Sequence, residues 1–143
     1  MTLEKILDWY QNLSPQSVAD VAQFYDEQAR FIDPFNDVVG HDGITAIFHH
    51  MFEKTEQPHF HIEQSQQLAD SAWVRWRFSV TLLRRNIEIE GVSQLIFADD
   101  GRIKHHRDYW DASELFAQLP VIGTMVRKLK QQMQAVRPLH VRS

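Results

Sequence analysis

The chain has 143 residues, 43% of them hydrophobic, which is the size and composition of a single globular domain. It contains no cysteine, which excludes disulfides, a thiol nucleophile and a cysteine-ligated zinc site. The net charge is −4, but residues 1–119 carry ten basic and nineteen acidic groups, a charge of −9 that predicts no nucleic-acid partner. No apolar run is long enough to cross a bilayer and the N-terminal segment does not resemble a signal peptide, so we expect a cytoplasmic protein.

Three helices are predicted in the first part of the chain. Residues 3–13 place apolar side chains at helical intervals. Ser14 interrupts this pattern and can cap a second helix, which runs through residues 17–25. A third helix is predicted over residues 41–54, with Asp42 as its cap and with one apolar face.

Strands dominate the second part of the chain. Residues 29–33 form a short predicted strand that ends at a proline. Apolar side chains then alternate with polar ones along residues 73–83 and 87–97, and an Asp-Asp-Gly turn at residues 99–101 leads into a last strand over residues 102–111. The order predicts an α+β fold in which helices lie on one face of a curved sheet of three or four antiparallel strands. Strand patterns do not alternate with helix patterns along the sequence, so we do not predict a parallel sheet.

The C-terminal segment is predicted to be helical from residue 112 to about residue 135, with interruptions near Pro120 and Gly123. We therefore divide the chain into a domain over residues 1–114 and a basic amphipathic extension over residues 115–143. The extension can touch an anionic membrane or a protein partner. The more common behaviour of such a helix is to pack back on the acidic body or on a second copy of the chain.

The motifs together resemble a known family. The order of two helices, a short strand with Asp-Pro, a G-x-x-x-I helix and a meander ending in DGRI…YWD is similar to the nuclear transport factor 2-like superfamily, and closest to its SnoaL-like polyketide cyclase and ketosteroid isomerase branches. The resemblance covers roughly residues 3–114. It implies a cone-shaped curved antiparallel sheet around the helices, a deep apolar pocket and a homodimer, and it leaves the C-terminal extension unexplained.

The resemblance also implies roles for individual residues. Asp33 in IDPF matches the general base of ketosteroid isomerases, and Tyr10 matches their oxyanion-hole tyrosine. Ser93 stands where that family has a second oxyanion donor, a protonated Asp, and a serine donates more weakly. Asp108 in HRDYW matches the acid/base of the cyclase branch. The position of His106 on the same strand, and not the resemblance, suggests it as the partner or proton shuttle of Asp108.

The surroundings of Asp33 favour a functional carboxylate. Phe31 and Phe35 flank it, so desolvation is expected to raise its pKa, as proton abstraction next to a carbonyl requires. The alternative is an ordinary turn, because Asp before Pro is common where a strand ends.

Asp108 shares the even-numbered face of the last strand with His106 and Trp110, because side chains two residues apart point the same way. A pocket-facing Asp beside a His can act as a general acid or base. One alternative is that the strand presents this face to solvent. The other is a structural ion pair between Asp108 and Arg75, Arg77 or Arg107. Tyr10 can likewise be a core residue with its hydroxyl at the rim.

The remaining candidates are side chains that line either a pocket or a plain core. We expect no metal site, since adjacent histidines diverge on a helix or a strand, and no cofactor. The predicted substrate-binding residues are Phe35, Phe48, Phe52, Val74, Trp76, Phe78, Ser93 and Trp110.

The preferred hypothesis is an acid/base enzyme that isomerises, cyclises or dehydrates a small hydrophobic carbonyl compound. A non-catalytic protein of the same fold that binds a small ligand is the first alternative. The second is an association module whose outer sheet face forms a homodimer and whose tail docks elsewhere.

Overall fold

The computed structural model describes residues 1–135. The chain forms two compact units, one covering Met1–Asp111 and the other starting at Ala112. Within the described residues, no helix combines the length and the apolar character needed to cross a membrane.

The helices of the first unit largely follow the predicted pattern. The third helix begins and ends as predicted, but its N-cap is Gly40 and not Asp42. The chain takes a φ of +94° at Gly40, which a glycine adopts without strain, and Asp42 lies inside the first turn, where its charge favours the helix N-terminus.

The second predicted helix is a 3₁₀ turn over Ser17–Asp20 followed by one α-helical turn. The α-helices are α1 (Leu3–Gln11), α2 (Val21–Phe24) and α3 (His41–Lys54).

Six strands form one curved, mixed sheet, rather than the three or four antiparallel strands that we predicted. Their order across the sheet is β2-β1-β6-β5-β4-β3, and β1 pairs with β6 in parallel. Sequence alternation does not reveal this pair, because the two strands lie far apart in the chain and pair only in the folded state. The strands are β1 (Tyr25–Ile32), β2 (Asp37–Val39), β3 (Glu56–Leu68), β4 (Ser71–Leu82), β5 (Arg85–Phe97) and β6 (Ile103–Tyr109).

The pairing register places chemically distinctive residues beside one another on the inner face of the sheet. Ser93 on β5 lies between Val74 on β4 and Asp108 on β6. In the parallel pair, Phe31 on β1 lies opposite His106 on β6. Since side chains of paired residues point to the same face, these groups can reach one another.

The core lies between this inner face and helices α1 and α3. Helix α1 contributes Trp9, whose ring stacks on Phe24 and meets Phe48 of α3 edge to face. Apolar burial of this kind is the main stabilising term of the fold. The largest fully buried side chains are Tyr25, Ile6, Ile44, Ile87, Leu95, Ile103, Val18 and Val21.

Up to residue 135, the second unit contains two helices, α4 (Ala112–Ala117) and α5 (Pro120–Met133). The predicted interruption near Pro120 is confirmed, since Pro120 opens α5. The interruption at Gly123 is wrong, because this residue lies inside α5. Gly123 allows a close approach instead: a Cβ there would lie 2.6 Å from the carbonyl oxygen of Ala117.

A glycine on β5 makes room for the largest side chain of the inner face. Trp76 lies opposite Gly91 in the β4–β5 pair, and a Cβ at Gly91 would lie 2.4 Å from the indole ring. The buried indole therefore lies directly over the backbone of β5.

We expect Gly91→Ala to destabilise the protein by about 1–3 kcal/mol, because the added methyl displaces Trp76 in a packed core. Urea unfolding of the two proteins measures this difference. In a Trp76→Leu background the cost of the same change should fall by about 1 kcal/mol or more, because the clash is gone. An unchanged cost in that background would contradict the explanation.

Candidate active site

A buried histidine lies at the centre of the site. His106, on β6, is only 3% exposed. The ring of Phe31 lies 4.3 Å from its imidazole, centroid to centroid, and the ring of Tyr25 stacks beside it at 6.0 Å. Because a buried polar group without a partner is costly, both ring nitrogens need hydrogen bonds.

On one side the imidazole contacts a carboxylate that is held from two directions. Nε2 of His106 lies 2.6 Å from Oδ1 of Asp108. The hydroxyl of Ser93 donates to the same oxygen at 2.5 Å, and the indole N–H of Trp76 donates to Oγ of Ser93 at 2.8 Å. The orientation of the Asp108 carboxylate is therefore set by side chains from three strands.

On the other side the imidazole contacts two tyrosines. Nδ1 of His106 lies 3.0 Å from the hydroxyl of Tyr10 and 2.8 Å from the hydroxyl of Tyr25. The two hydroxyls also contact each other. Side chains from helix α1 and from strand β1 thus both contact His106.

The hydrogen bonds available to His106, Tyr10 and Tyr25 indicate which atoms of the network carry protons. With His106 neutral and its proton on Nε2, the imidazole donates to Asp108, one tyrosine hydroxyl donates to Nδ1, and the other donates to the first tyrosine. If Nδ1 also carried a proton, one of the two tyrosine hydroxyls would have no acceptor among residues 1–135. We therefore assign the neutral tautomer, in which every donor of the network has an acceptor.

Burial also affects the tyrosines. It raises the pKa of Tyr10 and of Tyr25 well above the ordinary value, because the phenolate form would lose its hydration. Both hydroxyls therefore stay protonated at neutral pH and act as donors.

Asp33 has a different environment from the predicted one. Phe35 is 59% exposed and does not enclose the carboxylate. Oδ1 of Asp33 instead accepts the backbone N–H groups of Phe35 at 2.8 Å and of Asn36 at 2.7 Å. These contacts form a side-chain-capped turn, which is the alternative that the sequence left open.

Asp33 and Asp108 nevertheless line the same surface depression, which has a volume of about 500 Å³. The parallel register brings them together, since Ile32 pairs with Arg107 and each acid follows one residue later. The walls of the depression combine apolar side chains with charged ones, whereas the predicted pocket is apolar. They consist of Ile32, Asp33, Pro34, Arg107, Asp108, Tyr109, Trp110 and Asp111.

Most of the predicted substrate-binding residues lie elsewhere. Phe48, Val74 and Trp76 are buried in the core, and Ser93 is buried within the hydrogen-bond network. The predicted lining residues Phe52 and Phe78 are half-buried and do not border the depression. Trp110 does border it, and the exposed ring of Phe35 meets Trp110 edge to face at 5.6 Å.

The predicted ion-pair alternative for Asp108 does not occur with Arg75 or Arg77. Arg75 Nε lies 3.5 Å from Glu63, and Arg77 Nε lies 3.6 Å from Glu88. These arginines occupy odd positions of β4, whereas the inner face carries the even ones. The two faces of the sheet therefore keep the arginine pairs and Asp108 apart.

Tyr25 is the site residue that the sequence analysis missed. It was assigned to the end of the second helix, but it begins β1. The signal was present in the alternation of strand β1, because Tyr25, Ala29 and Phe31 are the buried members of one face. Extending the two-residue period backward from Phe31 would have placed Tyr25 inside.

The histidines outside this network form no recognisable metal centre in the described part of the chain, where no group of three potential ligands occurs. His59 and His61 share a face of β3, with ring centroids 4.2 Å apart. Partial burial, and the neighbouring charge of His61, lower the pKa of His59.

The sequence profile of the SnoaL-like domain matches residues 6–106, and the chain therefore belongs to this family. A search of curated proteins found no match.

Solved structures agree with this assignment at the level of the fold. A protein with a ketosteroid isomerase-like fold from Catenulispora acidiphila DSM 44928, in complex with trimethylamine, has 16% identity and a TM-score of 0.71 over 84% of this chain and 96% of its own. An NTF2-like protein of unknown function from Burkholderia pseudomallei has 16% identity and a TM-score of 0.73, over 85% and 100% of the two chains. A candidate SnoaL-like polyketide cyclase from Jannaschia sp. CCS1 has 16% identity and a TM-score of 0.68, over 83% and 91%.

The two tyrosines should be partly redundant. After Tyr10→Phe or Tyr25→Phe alone, the remaining hydroxyl still donates to Nδ1 of His106. We therefore expect the free energy of unfolding to fall by about 0.5–1.5 kcal/mol in each single variant. The double variant leaves that buried nitrogen without a donor. Its loss, measured by urea unfolding, should exceed the sum of the single losses by about 1–3 kcal/mol. Additive losses would contradict the network, and the exposed Tyr109→Phe serves as a near-neutral control.

The same tyrosines predict a loss of stability at alkaline pH. Above about pH 10 the unfolded chain releases the phenolic protons of Tyr10 and Tyr25 while the folded chain retains them, so the free energy of unfolding falls as pH rises. Each buried tyrosine contributes a slope of about 1.4 kcal/mol per pH unit, and below pH 10 its contribution is fully present. Urea unfolding at a series of pH values should show a shallower slope for Tyr25→Phe than for the wild type.

Proposed function

We propose that this SnoaL-like protein is an acid/base enzyme that uses the Asp108 carboxylate to move a proton on a small hydrophobic carbonyl compound. The reaction class is isomerisation, cyclisation or dehydration, and it needs no cofactor. The observation that carries the proposal is the combination of a fixed carboxylate and an accessible depression: Asp108 borders the depression, and His106 and Ser93 hold its Oδ1.

The second carboxylate oxygen is the reactive one in this proposal. Within residues 1–135, Oδ2 of Asp108 accepts no hydrogen bond, and the side chain is 14% exposed. A base must reach the proton that it removes, and a carboxylate fixed through one oxygen can present the other without losing orientation. His106 and Ser93 orient the Asp108 carboxylate, in the same way that a third group orients the base of a nucleophile–base pair.

The supporting residues take different roles from those that the family resemblance implies. The hydroxyl of Tyr10 is engaged by Tyr25 and His106, so in this proposal Tyr10 positions the imidazole and does not touch the substrate. The hydroxyl proton of Ser93 goes to Asp108, so it is not available to a developing oxyanion. Asp33 remains a second carboxylate at the same depression, held by its turn.

The test is proton exchange next to a carbonyl. The protein is incubated in deuterium oxide with a panel of enolisable ketones, such as tetralones and indanones, and deuterium incorporation is followed by proton NMR. We expect exchange by the wild type and a loss of about a hundredfold or more for Asp108→Asn, because general-base catalysis contributes that much. Asp33→Asn is the matched control, since its amide oxygen can still accept the backbone hydrogen bonds of the turn.

Equal loss in both variants would move the catalytic role from Asp108 to the pair of acids. No exchange by the wild type with any ketone that NMR shows to bind would contradict the proposal. That result would favour the alternative of a non-catalytic binding protein. One observation supports this alternative, namely that the polar network around His106 is satisfied without any ligand.

A further inference from the structure

Helix α5 carries a broad apolar arc. At about 100° per residue, six apolar side chains fall within an arc of about 140° along the whole helix. Five of them are between 49% and 78% exposed, and the sixth, Val126, is half-buried. The apolar residues of the arc are Val121, Ile122, Met125, Val126, Leu129 and Met133, and Gln132 near the C-terminal end of the helix also falls within it.

The partner helix in the same unit packs against a different side of α5. Gly123 is buried against α4, and Arg127 donates from Nη1 to the carbonyl oxygen of Ala117 at 2.6 Å. On the helical wheel, Gly123 and Arg127 lie outside the apolar arc. Helix α4 therefore leaves the centre of the arc uncovered.

The charges around the arc have a single sign. Lys128 borders one edge of the arc and Lys130 lies near the other, while Arg127 lies on the opposite face. No acidic residue occurs from Leu115 to Met133. Lysines at the edges of an apolar face can lay their aliphatic stems along it and keep their ammonium groups in the polar layer above.

We propose that α5 is an interfacial helix that binds the surface of a membrane containing anionic lipid. Its 14 residues are too few to cross a bilayer but long enough to lie flat along the headgroups. A wide apolar arc with basic residues at both edges is the pattern of such helices, and the positive charge complements an anionic surface. Helix α5 lies outside residues 6–106, which match the family profile, so this role is separate from the SnoaL-like domain and does not depend on the proposed activity.

The acidic remainder of the chain determines which contributions are needed for membrane binding. Residues 1–119 carry a net charge of −9, which opposes approach to an anionic surface. Binding must therefore come from the basic residues of the tail and from insertion of the apolar arc together. Removing either contribution should abolish most of the binding.

The experiment is co-sedimentation of the full chain with lipid vesicles. We expect binding to vesicles of phosphatidylcholine with phosphatidylglycerol, little binding to pure phosphatidylcholine, and release by high salt, because each basic residue adds attraction that salt screens. Lys128→Gln with Lys130→Gln should reduce the partition coefficient by about tenfold or more. The matched control is Lys54→Gln with Lys104→Gln, which makes the same charge change outside the tail. It makes the acidic body more negative, so it should lower binding slightly, and by far less than the change of Lys128 and Lys130.

A second pair of variants tests the apolar arc. Leu129→Gln should lower binding about as strongly, whereas Leu68→Gln, which alters an exposed leucine at the end of β3, should leave it unchanged. No binding by the wild type, or equal binding to neutral and anionic vesicles, would overturn the proposal. So would a concentration-dependent dimer, seen by sedimentation velocity, that Leu129→Gln dissociates without any vesicle binding by the wild type. In that case the arc would be covered by a second copy of the chain.

Discussion

The organisation of the site depends on one constraint, the need of a buried imidazole for partners on both ring nitrogens. His106 meets this need with the carboxylate of Asp108 on one side and the hydroxyls of Tyr10 and Tyr25 on the other. Ser93 completes the set by donating to the same carboxylate oxygen. A network in which each donor has an acceptor adopts one arrangement, because any alternative leaves a buried polar group unsatisfied.

The network also joins elements that the chain order separates. The parallel pairing of β1 with β6 puts Tyr25 and Phe31 beside His106, and helix α1 supplies Tyr10. These contacts span most of the first unit, so the geometry of the candidate base depends on the packing of α1 as well as on the sheet. A change in the helix can therefore alter the orientation of Asp108 without touching it.

Local patterns predicted the local structure well. The bounds of α3 and the inward faces of β4 and β5 are confirmed, and so is the even-numbered inner face of β6, which contains His106. The predicted secondary structure was wrong at residues whose conformation depends on tertiary contacts more than on the local sequence. Tyr25 ends an apparently helical run but belongs to a strand, and Gly123 lies inside a helix because a carbonyl approaches it. The number of strands was underestimated because the three-residue strand β2 is too short to show a period and the polar second half of β3 lacks a clear alternation.

The sequence by itself determined the α+β class and the family resemblance, through the order of elements and motifs along the chain. It also determined the single face shared by Asp108 and His106 and the basic amphipathic tail, since these follow from periodicity or composition within a short segment. Only the tertiary structure distinguished the surroundings of the two candidate acids. Asp33 and Asp108 look equally promising in the sequence, yet the first is held by its own turn and the second by one side chain of its own strand and one of β5. The reason is physical: the environment of a carboxylate depends on groups that folding brings near it, and no local pattern encodes their distances.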